Sequence, residues 1–332
     1  MRSFLAPLMV AALVGCTHAH AGGSTSTIKE SFASEPSKDR WYVCHRPENA
    51  FKFGPDGSGR NAMVATVKPE PKVLTFRKDH HVGCLDEDSE YKRDGKERAE
   101  IWESGETWLP LGTDVWYRFD MFVDERLEPR AKRLVIGQWK EQGGARGGPL
   151  LAQRFTGRHF TITVEQDNLA PKKKADEVLC RVLVADQLPL SLSPAGWPHD
   201  DNAEIVPPID QRMATMGLSD GPATAKDPGC ARGIVAEQYH VLPDPFGHWR
   251  TMVFHLKLRP DEAIVEIWAD GVKIGKTTGR VGYAKNGAHE NEYFKFGAYR
   301  DLESFETVVK LANYVRSTSR KEVDPTGKLT PD

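Results

Sequence analysis

From Trp41 onward, apolar and polar residues alternate in short runs, and long stretches with a helical period are scarce. Asn61–Val67, Trp116–Val123, Leu134–Lys140, His159–Glu165 and Leu179–Val184 each alternate with period two and are rich in β-branched or aromatic residues, which predicts strands. The series resumes at Trp249–Leu258, Ala263–Ala269, Val272–Ile274 and Glu292–Tyr299. Asp270-Gly271 separates two of these runs and predicts a tight hairpin, because both central residues of such a turn take positive φ. Many short strands and few helices argue for an all-β domain, a sandwich or jelly roll of two antiparallel sheets, one of them curved into a concave binding face.

One section breaks the rhythm. Residues 186–233 hold a run of Pro, Gly and Asp with little periodicity, too long for a passive connection, and read either as a wall beside a groove or as a surface excursion. The N-terminus carries a different pattern: Met1-Arg2, an apolar run from Phe4 to Val14, then small residues and no further charge until Lys29. Such a run is too short to span a bilayer and reads as a secretory signal over residues 1–21. Leu13-Val14-Gly15-Cys16 resembles a bacterial lipobox, with Cys16 as the lipidated residue, whereas Ala19-His20-Ala21 resembles an ordinary cleavage site. Export to the periplasm, the outer membrane or the medium follows from either. Residues 22–38, rich in Ser, Thr and Gly, are expected to be a flexible tether to a single domain over 39–332.

Composition narrows the class without choosing a function. Of 332 residues, 45 are Lys or Arg and 47 are Asp or Glu, so a formal charge of −2 gives no global pull toward nucleic acid and none is expected as a partner. The expected contact with a membrane is through the N-terminal lipid alone, and the protein is expected to be a monomer. Beyond Cys16, an exported chain with Cys44, Cys84, Cys180 and Cys230 favours disulfides, with Cys44–Cys84 and Cys180–Cys230 preferred because each closes a loop-rich section. No CxxC pair is spaced for zinc. The acidic run Asp86–Glu90 leaves structural calcium open, although its spacing is not that of an EF-hand, and no cofactor is required.

Three segments carry the candidate chemistry: Arg98-Ala-Glu100, Gln138-Trp-Lys140 and Tyr293-Phe-Lys-Phe-Gly-Ala-Tyr-Arg300. Residues two apart in a strand share a face, so Arg98 with Glu100, Gln138 with Lys140, and Tyr293, Lys295, Gly297 and Tyr299 align on polar stripes. Ile101, Trp139, Phe294, Phe296 and Ala298 are then free to pack inward. Gly297 is read as leaving room for a ligand.

These segments resemble the signature strands of jelly-roll polysaccharide lyases: alginate lyases of family 7, with R-x-E-L, Q-I-H and Y-F-K-x-G-x-Y, and the related glucuronan lyases of family 20 and heparin lyase I of family 13. The resemblance implies a concanavalin A-like jelly roll and cleavage of a uronate-containing polysaccharide by β-elimination, leaving a 4,5-unsaturated end. It implies catalytic roles for Tyr299, Lys295, Arg98 and Gln138, with Glu100, Tyr293 and Arg300 beside the substrate. β-Elimination requires neutralisation of the carboxylate next to C5, a base for the C5 proton and an acid for the departing O4. A phenol serves better as a base when cations favour its phenolate.

The chain departs from the pattern at Lys140, where the family places histidine. Lysine stays charged unless desolvated or crowded by cations, so Lys140 is read either as a carboxylate neutraliser or as a base of depressed pKa. A histidine from elsewhere could fill the role, and His81 is singled out for it. The missing histidine also supports a non-catalytic carbohydrate-binding protein, and a jelly-roll glycoside hydrolase would need a second carboxyl group to pair with Glu100. Trp102, Trp108, Trp116, Trp249 and Trp268 are read as core or sheet-packing residues.

Overall fold

The computed structural model describes residues 27–43, 50–69, 96–142, 148–167, 179–190, 205–206, 233–282 and 291–331. Two nine-stranded sheets face each other across one core. The first runs, edge to edge, β13 (Ile234–Gln238), β16 (Val272–Gly279), β15 (Ala263–Ala269), β14 (Arg250–Lys257), β7 (Val115–Val123), β18 (Thr307–Ser317), β4 (Asn61–Val67) and β3 (Phe51–Pro55), with β1 (Thr27–Glu30) also on β18. The second runs β12 (Ile205–Val206), β11 (Leu179–Asp186), β10 (His159–Asp167), β9 (Leu151–Thr156), β8 (Leu134–Glu141), β17 (Asn291–Asp301), β5 (Lys96–Glu103) and β2 (Trp41–Val43), with β6 (Leu109–Pro110) also on β17. Strand neighbours are antiparallel apart from β11 with β12. The all-β antiparallel sandwich expected from the alternation is therefore present.

The alternation works as elementary strand geometry requires. Val115, Tyr117, Phe119, Met121 and Val123 of β7 point inward, and Phe294, Phe296 and Ala298 of β17 meet them from the other sheet. Phe119 lies 5.2 Å from Phe294 and 5.8 Å from Phe254, ring centre to ring centre. Each such buried aromatic or aliphatic side chain contributes roughly 1.5–3 kcal/mol. Asp270 and Gly271 have φ of 51° and 84°, the two positive values of the expected hairpin turn.

Two expectations fail. The tether does not extend past Thr27, because β1 pairs with β18 and Ile28 and Phe32 are buried in the core. Its Ser and Thr content concealed two apolar anchors. Strand β18, in the middle of the first sheet, has no counterpart among the expected strands. Its inward residues are Val309 and Leu311, then Tyr314 and Arg316, with a register shift between Ala312 and Val315 around Asn313 at φ 51°. That bulge breaks the period-two pattern from which strands are read.

Of the Pro- and Gly-rich section, only 186–190, 205–206 and 233 are described. Cys16, Cys44, Cys84, Cys230, His81 and Asp86–Glu90 lie outside the described residues, as does the side chain of Cys180.

Candidate active site

Strands β5, β17 and β8 are neighbours in the second sheet, so the three motifs come together on its outer face. Register fixes who meets whom. Arg98 pairs with Tyr299, Trp102 with Lys295, Lys295 with Gln138, and Tyr293 with Lys140. Gln138 and Lys140 reach this face because β8 is irregular. Leu134 and Ile136 point inward, but so does Trp139, and the register shift between Val135 and Gly137 is what inverts the alternation.

Tyr299 stands between two guanidinium groups. The Arg98 Cζ lies 4.5 Å from the centre of its ring and the Arg133 Cζ 4.7 Å, and Arg133 is itself held by Asp301 at 2.7 Å. Negative charge that develops on the phenol oxygen is therefore met by fixed positive charge.

Beneath this pair lies Glu100, fully buried. It accepts a hydrogen bond from Gln138 Nε2 and one from Lys295 Nζ at 3.3 Å, and Arg98 Nη1 is 3.9 Å away. Burial pushes the Glu100 carboxyl up, but Lys295, Arg98 and Lys140 outweigh it and hold the group below the ordinary glutamate value. One carboxylate thus orients three donors. Glu100 does not face substrate, contrary to expectation, because those side chains cover it.

The two lysines are perturbed in the same direction. Burial, with Arg98 adding, lowers Lys295 below the ordinary lysine value against the pull of Glu100. Lys140 is the more accessible, and burial followed by the charge of Lys295 brings it down to about 8. Further along the same face, Arg154 and Arg181 converge on Glu165 at 3.0 and 2.8 Å, and Glu165 pulls back on Lys140.

Arg300 and Gly297 were misread. Arg300 alternates with Tyr299 and points into the sandwich, where its Nε bonds Glu97 at 2.7 Å and its Nη1 bonds Phe305 O and Thr307 Oγ1, each at 2.6 Å. It is a buried structural cation. A side chain at Gly297 would collide with Ala99 O and sit 2.6 Å from Glu100 Cα, so the glycine admits strand β5 rather than a ligand. Tyr293 is on the outer face as expected, stacked 4.8 Å from Trp108, and burial with Glu100 pushes its phenol up to about 12.

Sequence reasoning missed Arg133 and the aromatic groups of this face. Trp102 was read as packing, yet it follows Arg98 and Glu100 at the same two-residue interval, and Lys295 Nζ lies 4.9 Å over its ring. Arg133 precedes its strand and carried no comparable signal. Among the described residues, no group of three or more His, Cys, Asp or Glu is placed to hold a metal ion.

A family model described as polysaccharide lyase matches residues 54–319. The chain belongs to that family. It is a carbon–oxygen lyase, and the match covers all three motifs of the outer face. No match was found among proteins of curated function. Among solved structures, this lyase is similar to the alginate lyase AlgAT5 of polysaccharide lyase family 7, with 13% identity, TM-score 0.40, and coverage of 84% of this chain and 94% of that one. It is similar to an alginate lyase from Pseudomonas aeruginosa, with 13% identity, TM-score 0.42, and coverage of 84% and 98%. A third is the family 7 alginate lyase A1-II′ in complex with a product, with 11% identity, TM-score 0.43, and coverage of 84% and 95%.

Proposed function

We propose that this lyase is exported and cleaves a uronate-containing acidic polysaccharide by β-elimination on the outer face of its second sheet. The observation that carries the reading is the cationic face of β5, β17 and β8: Arg98 and Arg133 flank the Tyr299 ring, and Lys295, Gln138 and Lys140 continue the same face along the strands, with Lys140 opposite Tyr293. Two guanidinium groups on one phenol, in a face that carries further buried or half-buried cations, fit a polymer with a carboxylate next to the reacting carbon.

In this mechanism Tyr299 moves the proton and the cations carry the charge. The C5–H bond breaks, its electrons form the C4=C5 bond, and the C4–O4 bond breaks. Tyr299, reacting as the phenolate, takes the C5 proton to become the phenol and gives that proton to the departing O4, so the enzyme ends as it began. Lys140 acts as a neutraliser rather than a base. A uronate carboxylate bound beside it raises its pKa, so it is charged in the complex even though the free enzyme holds it near 8. Gln138 spends one N–H on Glu100 and offers the other. The scheme uses side chains alone and calls on no cofactor.

The test is incubation of the protein with glucuronan, alginate, heparin and hyaluronan while following ultraviolet absorbance of the unsaturated uronate. A rise with at least one polymer supports the reading, and none with any uronate polymer sinks it. Export rests on the apolar leader that ends before Cys16, with periplasm, outer membrane or medium as the destination. If Cys16 is lipidated, Cys16→Ser moves the protein from the membrane fraction to the soluble one. Wild-type protein that is soluble and begins at Gly22 indicates ordinary cleavage instead.

A further inference from the structure

We propose that Tyr42, on the edge strand β2, is a sugar-stacking subsite of the same groove, taking the apolar face of a pyranose ring two strands away from the reacting centre. The proposal rests on the lyase reading above and adds a recognition element to it. Tyr42 pairs with Trp102, Trp102 with Lys295, and Lys295 with Gln138, so these four residues form one row across β2, β5, β17 and β8. Its neighbour Trp41 is fully buried in the core, which places Tyr42 on the outer face with the catalytic candidates.

The rings are layered. Tyr42 lies 4.7 Å from Trp102 with 19° between the planes, and Lys295 Nζ lies 4.9 Å over the Trp102 ring. Trp102 is thereby occupied by Tyr42 and Lys295, and it cannot present a free face. Tyr42 can. It is 42% exposed, among the few large apolar side chains left open to solvent, and only one of its faces is covered by the stack. A solitary exposed apolar residue is unremarkable. An exposed ring held flat against a second aromatic, in register with Lys295, is a preformed platform of the kind that lines sugar and ligand sites.

Its position gives the expected consequence. Adjacent strands are roughly 4.8 Å apart, so Tyr42 stands about 10 Å from the β17 position of Lys295. Tyr299 is a further four residues along β17, roughly 13 Å at about 3.3 Å per residue, so the platform lies about 16 Å from it and meets a sugar roughly three residues from the one at Tyr299. Chains too short to reach Tyr42 gain nothing from it. The chemistry selected is a pyranose with an axial C–H face and no charge on that side, attached to the uronate that reacts.

The experiment compares trimer and hexamer uronate oligosaccharides of the preferred polymer on wild type, Tyr42→Ala and Tyr42→Phe, reading KM and kcat from unsaturated product and affinity from tryptophan fluorescence. For Tyr42→Ala we expect KM for the hexamer to rise roughly tenfold, equivalent to about 1.4 kcal/mol, erasing the advantage of hexamer over trimer. Tyr42→Phe keeps the ring and should keep that advantage. Equal losses on both lengths would overturn the proposal, since they would mean that Tyr42 acts only by supporting Trp102 and Lys295. An unaltered hexamer KM and affinity would overturn it as well. The affinity readout separates this failure from that of the lyase reading: a protein that makes no product but loses hexamer affinity on Tyr42→Ala retains the subsite, and wild type that binds no uronate oligosaccharide contradicts it.

Discussion

Arg98 and Tyr299 pair directly across β5 and β17, with the guanidinium carbon 4.5 Å from the centre of the phenol ring. The pairing combines two requirements of elimination, a group that moves protons and a charge that does not. Arg133 repeats the arrangement from β8's side at 4.7 Å. Replacing Arg133 by Met keeps much of its volume and removes one of the two charges. Turnover should fall by roughly 10²-fold, the lower end for loss of one electrostatic donor, with KM little changed. A KM rise at constant kcat would instead assign Arg133 to ground-state binding.

Lys140 makes the pH profile diagnostic. Its ammonium is present below about 8 and lost above it in the free protein. As a neutraliser, Lys140 should give kcat/KM an alkaline limb near pH 8, falling about tenfold per unit beyond it. In kcat the limb should move to higher pH, because bound carboxylate favours the ammonium. Were Lys140 the base, kcat/KM would rise through the same pH. Lys140→His should lose roughly 10²–10³-fold at pH 7.5 and recover in part as the imidazole gains its proton on acidification. Equal or better activity at pH 7.5 would return the residue to the role held by the family's histidine.

Glu100 is expected to matter through other residues. Glu100→Gln leaves Lys295 with a buried charge and no countercharge, which costs about 3–5 kcal/mol for a broken buried pair and is measured by denaturant unfolding. It also removes a group that raises Lys140, so the alkaline limb of kcat/KM should shift to lower pH. A purely structural role would lower stability and leave the limb in place.

How much of this was readable follows from the strand period. The shared face of Tyr293, Lys295 and Tyr299 is an unbroken two-residue repeat, and the structure keeps it. The same repeat excluded Arg300, one residue out of step, and included Trp102, in step with Arg98 and Glu100. Residue type had obscured both, since arginine suggests a polyanion and tryptophan suggests a core. The bulges are another matter. Those in β8 and β18 invert the face of every residue beyond them, and nothing in a local pattern states where a strand will miss a register. Arg133 reaches Tyr299 through the pairing of β8 with β17, a contact between segments far apart in the chain.

The core itself carries a pH signature. Glu292 is fully buried opposite Glu141 on β8, and burial, with Glu103 adding, pushes its carboxyl well above the ordinary value of 4.5. Between the unfolded and the raised folded pKa, the native state holds a proton that the unfolded chain releases, so stability falls as pH rises through that window. Glu292→Gln removes the proton from the balance. Its melting temperature should exceed that of wild type at pH 8 and approach it near pH 4, as followed by thermal unfolding. A constant difference across that range would show that Glu292 does not titrate in this way.

The central claim is that Tyr299 moves the proton in a β-elimination, and the hydroxyl deletion Tyr299→Phe tests it most directly. The ring and its contacts with Arg98 and Arg133 are kept, so fold and polymer affinity should survive. On the polymer that wild type degrades best, the rate of appearance of ultraviolet-absorbing unsaturated ends should fall by roughly 10²–10⁴-fold, the usual contribution of a positioned proton-transfer group. Unsaturated product forming at the wild-type rate from Tyr299→Phe would contradict the account.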